Sequence, residues 1–178
     1  MSEDWKAATR RQRERKDEYF ATDHHSPIPP DERADFDGLA YFPVDEAYRF
    51  VVALDRHEDP EEVTVGTSTG GERDYLRWGE FTVEIDGERV TIQAYKGEPG
   101  EDRLWVPFRD ETSGEETYGA GRYIDLEADA HRTDGEWILD FNQAYNPTCA
   151  YSDRYECPLP PTENWLEVPI EAGEKAYH

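Results

Sequence analysis

The stretch "RDYLRWGEFTVEIDGERVTIQAYKG", residues 73–97, decides the fold. Phe81, Val83 and Ile85 fall on one side and Thr82 and Glu84 on the other; after "DG" the alternation resumes in Val90, Ile92 and Ala94. Successive side chains of an extended chain point to opposite faces, so this period marks strands with one face on a core. An Asp-Gly pair between two such runs marks a tight reversal. The same pattern extends in both directions. "AYRFVVALD" (47–55), "EEVTVGTS" (61–68), "RLWVPFRD" (103–110), "TYGAGRYIDLEAD" (117–129), "EWILDFNQAY" (136–145) and "NWLEVPIEAGE" (164–174) read as further strands. Turn signals such as "DRHEDPEE", "STGGE", "GEPGED" and "HRTDGE" separate them. About eight consecutive strands without intervening helices predict a mainly β protein built as an antiparallel meander. An open edge invites aggregation, so closure into a barrel or half-barrel is the expected resolution. The interior of a small barrel holds packed side chains or one small ligand.

Upstream, residues 3–20 read as one helix with a thin apolar stripe of Trp5, Ala8, Tyr19 and Phe20. It carries a basic cluster in an otherwise acidic chain: Arg10, Arg11, Arg13, Arg15 and Lys16. Such a helix either lies on its own acidic body or serves as a partner-docking arm. "HHSPIPPDERADF" (24–36) breaks it with three prolines. The organisation predicted is one domain over 1–178: a helical arm (1–20), an irregular strap (21–38) and a barrel-like body (39–178).

The chain has 178 residues, a hydrophobic fraction of only 36% and a net charge of −23, a combination that on its own points toward disorder. Five Trp, eleven Tyr and seven Phe spread through alternating segments point to a folded chain. Asp and Glu total 42, against fifteen Arg and four Lys (Lys6, Lys16, Lys96, Lys175). A dense acidic surface nearly stripped of Lys is the pattern of proteins working in concentrated salt, where screening shortens to about 3 Å and self-repulsion is cancelled. Binding to nucleic acid through phosphate neutralisation is not expected, because that mode needs a basic face. No apolar run reaches the roughly 18 residues of a membrane span and no apolar leader is visible, so a soluble, cytoplasmic protein without membrane partners is expected.

"DFNQAYNPTCAYSDRYECPLPPTENW", residues 140–165, has neither period. Long irregular segments in compact domains are usually functional or disordered, and Tyr145, Tyr151, Tyr155 and Trp165 should pack. We expect an ordered cap across one barrel end, with Asp140, Asn142 and Tyr145 facing its mouth and Asn146 bonding backbone beside them. Cys149 and Cys157, eight positions apart, read as buried thiols kept reduced, with a disulfide, a reactive thiol or zinc as alternatives. Tetrahedral zinc would need two more ligands, for which His24–His25 are the paired candidates; the spacing carries no metal pattern, so neither metal nor cofactor is expected.

The other unusual block is "FRDETSGEETYGAGRYIDL", 108–126. Gly119 and Gly121 alternate in a predicted strand and strip one face of side chains, as happens where a ligand or another backbone approaches closely. Arg109 and Arg122 suit bidentate recognition of an anion, with Asp110 and Tyr118 alongside; an internal Arg–carboxylate network is the structural alternative. The two blocks are expected to meet around a pocket for a small polar or anionic ligand. An enzyme with Asp110, Glu116 or Asp140 as general base and an Arg stabilising developing charge is the second possibility. A scaffold docking through the basic helix is the third.

"GLAYFPVDEAYRF", "RLWVPFRDETSGEETYGAGRYIDL" and "DFNQAYNPTCAYSDRYECPLPPTENWLEVPIEAGE" together resemble a family of archaeal and bacterial proteins, domain of unknown function 1684. The resemblance runs over nearly the whole chain from about Trp5. It implies a single-domain family and brings no reaction, cofactor or catalytic residue with it. The family's haloarchaeal members share the acidity seen here.

Folding should depend on salt, because dilution restores repulsion among 42 acidic residues. The melting temperature should rise steeply between about 0.1 M and molar KCl; a flat response would contradict the reading.

Overall fold

The computed structural model describes residues 2–152 and 155–177, with side chains from residue 4 onward. Residues 1 and 178 of the predicted domain, and 153 and 154 of the predicted cap, lie outside the described residues. Helix α1 (Ser2–Thr22) is stopped by side-chain capture of its last turn: the Ser26 hydroxyl donates to the Phe20 carbonyl at 2.6 Å. Arg33 then donates to the carbonyls of Ile28 (2.9 Å) and Ser26 (3.1 Å), which fixes the proline strap. Phe20, Ile28 and Tyr151 form a small buried cluster where strap, helix and the 140–165 segment meet.

Eight strands follow: β1 (Arg49–Val52), β2 (Asp55–Gly66), β3 (Glu72–Ile85), β4 (Glu88–Lys96), β5 (Arg103–Phe108), β6 (Arg122–Glu127) and, after the one-turn helix α2 (Ala128–His131), β7 (Arg132–Thr133) and β8 (Glu136–Asp140). All ladders between strands are antiparallel. They make a five-stranded sheet ordered β2-β3-β4-β5-β6 and a three-stranded sheet ordered β1-β8-β7. The β3–β4 reversal is the "DG" of the sequence: Asp86 (φ 53°) and Gly87 (φ 78°) both adopt positive φ, as a two-residue turn of the right twist demands. Predicted alternation is observed there, with Phe81, Val83, Ile85, Val90, Ile92 and Ala94 buried and Thr82, Glu84 and Thr91 exposed.

The expected closure is not found. Among the described residues no ladder joins β6 back to β2, and the five-stranded sheet stays open. Its apolar face is covered instead by Trp137 and Leu139 of β8 and by Leu166, Val168, Ile170 and Ala172. These last four lie in the stretch predicted as an eighth strand, which alternates as a strand should but joins no named ladder. Its backbone is satisfied piecemeal: Leu166 N–H donates to Arg109 O (2.8 Å), Glu174 N–H to Ala144 O (3.0 Å) and Ile170 N–H to the Asp110 carboxylate (2.6 Å). Two further boundaries differ. "DRHEDPEE", read as a turn, belongs to β2, where the charged run is an edge strand exposed along most of its length. Gly119 and Gly121 precede β6 rather than lying in it. Gly121 has φ 110°, outside any ladder, and a Cβ there would come within 2.6 Å of the Phe108 carbonyl oxygen.

That close approach delivers Arg122 into the interior. Its side chain is fully buried and donates to the carbonyls of Ala172, Glu174 (3.2 Å) and Ile170 (3.0 Å) and to the Asp110 carboxylate (3.4 Å). Asp110, also buried, accepts from Ile170 N–H and from the Thr112 hydroxyl at 2.8 Å. Burial lowers the Arg122 pKa, opposed by Asp110 and Glu174. Removing one member of a buried pair strands the other charge, which costs about 3–5 kcal/mol. Arg122→Met should therefore lower the melting temperature by roughly 10 °C, at about 2–4 °C per kcal/mol for a chain of this size. Thermal unfolding followed by circular dichroism in molar salt checks it, and an unchanged midpoint would remove Arg122 from the structural role.

Candidate functional site

The eight residues singled out in the sequence separate into two groups. Arg122 and Asp110 face each other inside the protein, the internal network that the sequence offered as an alternative to a ligand site. Arg109 lies over the half-exposed Trp165 ring, its guanidinium carbon 4.5 Å from the centroid. Tyr118 is half-buried, and burial pushes its hydroxyl pKa up. None of the four lines the cavities described next. Of the proposed bases, Asp110 is engaged as above, and Glu116 is exposed with its carbonyl receiving Ala176 N–H.

The second group, Asp140, Asn142, Tyr145 and Asn146, runs along the seam beneath α1. Asp140 caps the turn Phe141–Gln143 through one carboxylate oxygen, which accepts from Asn142 N–H (2.9 Å) and Asn142 Nδ2 (2.8 Å). Asn142 exchanges two hydrogen bonds with the backbone of Asp45, at 3.0 and 2.8 Å. Tyr145 pairs with Tyr123 through reciprocal backbone bonds of 2.9 Å, so the two blocks that the sequence predicts to meet do meet, at this point. The Tyr145 hydroxyl donates to Asp125, and burial holds its pKa far above the usual tyrosine range. Asn146 is buried; its N–H donates to Glu174 (3.0 Å) and its Nδ2 to Lys175 O (2.9 Å), while its Oδ1 has no partner among the described residues.

The helix is held over this floor by two of its cations. Arg13 donates to Phe42 O (2.8 Å) and Asn142 O (3.3 Å), and Lys16 pairs with buried Glu174, which also accepts from Tyr151 OH (2.6 Å). Arg10, Arg11 and Arg15 stay exposed. The predicted arrangement is thus inverted: residues 140–152 and 155–158 form a floor and α1 the cover. Three cavities that share lining residues follow the seam. One of about 190 Å³ lies under Trp5 beside Asp140, Arg49 and His131. One of about 110 Å³ adjoins Arg13, Lys16 and Asn142. The largest, about 550 Å³, is an open cleft walled by Phe20, Tyr145, Tyr151, Tyr155, Pro147 and Pro158, with Lys16, Arg73 and Asn146 among its polar groups.

The expectation of free thiols is not met. Cys149 and Cys157 are bonded, their Cα atoms 6.3 Å apart, within the normal span of a disulfide. Ser68 N–H donates to Cys157 O (3.0 Å) and Cys157 N–H to the Ser68 hydroxyl (3.1 Å); with the turn Thr148–Ala150 these bonds bring the cysteines together. Among the described residues Asp23, His24 and His25 place potential metal-ligand atoms within 4.8 Å of one another, with both histidines exposed. Glu174 and Arg73 were not marked by the sequence, and Lys16 was marked only as one of the basic cluster on α1. Glu174 sits in a cord whose other acids, Glu167 and Glu171, are exposed, so no local pattern distinguishes it. The pairing of Lys16 with Glu174 agrees with the reading of a basic helix lying on its own acidic body.

A profile described as "Protein of unknown function (DUF1684)" matches residues 34–175. The chain belongs to that family. The DUF1684 match contains all eight candidate residues and begins after α1. A solved structure, the solution NMR structure of an uncharacterised protein of Haloarcula marismortui, is similar at 45% identity and a TM-score of 0.74, covering 98% of this chain and 95% of that one. No curated protein matches. No helix among the described residues is long and apolar enough to cross a membrane.

Burial raises the Asp140 pKa, against the lowering effect of its Asn142 hydrogen bonds and of Arg49 and Arg13. A carboxyl whose folded pKa lies above its unfolded value near 4 loses folding free energy as pH rises from there through the raised pKa. Asn at this position keeps the cap and does not ionise. The stability of Asp140→Asn relative to the parent should therefore improve as pH rises above about 4, and parallel stability curves would contradict the shift.

Proposed function

We propose that this is a salt-adapted, soluble small-molecule-binding protein whose site is the cleft between α1 and the 140–158 segment. The observation that carries the reading is the buried Asn146 amide, whose Oδ1 lacks a partner at the wall of the 550 Å³ cleft. An unsatisfied buried acceptor costs about 1–3 kcal/mol, and a ligand donor would recover it. Around it the wall is mainly tyrosine and proline, with the cations Lys16 and Arg73. Glu156, the carboxylate on the same wall, is turned onto the Thr67 and Thr69 hydroxyls, at 2.5 and 2.8 Å. Largely apolar walls with a few convergent polar groups are the usual composition of small-molecule sites, and a few hundred cubic ångströms suits a metabolite-sized ligand. The chemistry favours a ligand with a flat or apolar body, an anionic end toward Arg73 and a hydrogen-bond donor toward Asn146.

A second reading, acid–base catalysis, is favoured by one observation: Asp140, its pKa raised by burial, lines the cavity under Trp5 opposite Arg49 and His131. A perturbed carboxylate in a cleft is a candidate general acid or base. It ranks second because that cavity is small and Asp140 already serves as a cap.

Ligand-observed NMR in molar salt, with hydroxylated aromatic carboxylates and matched aromatic amines, tests the first reading. Carboxylates should bind in preference to amines, and Arg73→Gln should weaken them about tenfold, the equivalent of about 1.4 kcal/mol. Arg109→Gln, away from the cleft, should leave affinity unchanged. Equal binding of amines, or indifference to Arg73→Gln, would overturn the proposal.

A further inference from the structure

A second concentration of positive charge lies away from the α1 seam. Arg56 on β2, Lys96 on β4 and Arg132 on β7 line one cavity of about 190 Å³, together with Trp78, Trp137 and a single carboxylate, Asp102. The chain has 19 basic residues against 42 acidic ones, so a cation here has an abundance of potential partners. Yet among the described residues none of these three forms an ion pair or donates a side-chain hydrogen bond, whereas Arg77 and Arg103 pair with carboxylates. Instead the three lie over indole rings. Arg56 and Lys96 are 4.7 and 4.1 Å from the Trp78 centroid, and Arg132 is 5.4 Å from that of Trp137. Two cations on a single ring repel each other: Arg56, after burial, is the next cause that lowers the Lys96 pKa, partly offset by Asp102 and Glu101.

The backbone is bent to make this cluster. Trp78 is an extra residue in β3: Arg77 pairs with Tyr95 and Gly79 with Ala94, so Trp78 has no partner on β4. On the other side the register jumps between Arg56 and Glu61 opposite Gly79 and Arg77, so it has none on β2 either. Bulges re-aim side chains and are frequent beside functional sites. Position 78 would otherwise share the outward face of Thr82 and Glu84; the bulge turns its ring onto the edge of the core. Gly79 is needed for the same fold, since a Cβ there would lie 2.9 Å from both Asp55 O and the Leu54 side chain. Purely structural stacking of a cation on a tryptophan needs one cation. It does not require three to be gathered around one carboxylate, none of them in an ion pair among the described residues, at a doubly bulged strand.

We propose that Arg56, Lys96 and Arg132 form a binding site for a compact oxyanion, a phosphate group in the first place, against the Trp78 and Trp137 rings. Two guanidinium forks and an ammonium supply the charge-assisted donors that a tetrahedral oxyanion accepts. The volume, below the roughly 300 Å³ of drug-sized sites, fits a free phosphate or the phosphate end of a small ester rather than a large ligand. The site is independent of the cleft beneath α1 and stands whether or not that cleft binds anything.

Tryptophan fluorescence of the full chain, titrated at constant ionic strength in KCl, tests it. Inorganic phosphate and phenyl phosphate are the probes, with sodium acetate as a control. A saturable change with phosphate, lost in Trp78→Phe and shifted at least about tenfold in midpoint by Lys96→Met, is the expected result. Tighter binding of phenyl phosphate would assign the site to a phosphate ester and equal binding to the free ion. Lys96→Met should also leave the melting temperature unchanged or raised, because it relieves repulsion. The proposal is overturned by a response no greater than that to acetate, by a phosphate midpoint indifferent to Lys96→Met, or by a lowered melting temperature, which would make the cluster structural.

Discussion

The ion pair of Arg122 with Asp110 is the constraint on which the rest of the structure depends. An open five-stranded sheet leaves one apolar face to be covered, and two thin elements cover it: the short β1-β8-β7 sheet and a C-terminal cord without a regular ladder. A cord of that kind has no cooperative row of hydrogen bonds to hold it. Arg122 substitutes for the row by binding three carbonyls, spaced two residues apart at 170, 172 and 174, while Asp110 takes the Ile170 amide. Burying such charges is costly unless their donors and acceptors are used, and of the Arg122 guanidinium nitrogens only Nε lacks a partner among the described residues. Here the pair satisfies backbone groups that would otherwise be buried without partners, which is how a polar centre can sit under an apolar face.

The cord in turn positions the seam. Glu174, two residues beyond Ala172, is where Lys16 of α1, Tyr151 and Asn146 converge. The helix is held on the body through polar contacts made by Arg13, Lys16 and Asp17, with Phe20 as its main apolar anchor. Polar attachment of a cover to a floor leaves gaps where side chains do not interlock, and the three cavities lie along that line. The candidate residues of the 140–146 run satisfy irregular backbone, and the Asn146 oxygen is left without a partner among the described residues.

Much of the fold was legible because period-two alternation reports one-sided burial. The 73–97 hairpin has both the alternation and the Asp-Gly turn, and the structure follows it closely. Where the reading went astray, one of the two conditions failed. The first half of β2, residues 55–60, has no buried position, so it carries no apolar alternation and its Asp and Pro residues imitate a loop. Residues 164–174 alternate because any extended chain lying on a core does so; pairing is a separate property, to which burial periodicity is blind. Gly119 and Gly121 looked like a strand stripped for a ligand, whereas positive φ and the Phe108 carbonyl explain Gly121 from backbone geometry alone. Half of the candidate site was visible as unusual polar residues in an aperiodic segment. Its cover, and the joining of Cys149 to Cys157, depend on contacts between distant segments that no local pattern encodes.

The open edge of β2 bears on how this protein avoids its own copies. Barrel closure would remove the edge; instead Asp55, Glu58, Asp59, Glu61 and Glu62 line it, all exposed, around Pro60 and the bulge opposite Trp78. In dilute buffer five carboxylates on one strand repel an approaching copy from a distance. In molar salt, with a screening length of about 3 Å, that repulsion vanishes except at contact. What then prevents strand-to-strand addition is steric and geometric: the missing amide of Pro60 and the kink beside it, neither of which ions can screen. The edge therefore carries two guards, an electrostatic one that acts in dilute buffer and a steric one that ionic strength does not touch.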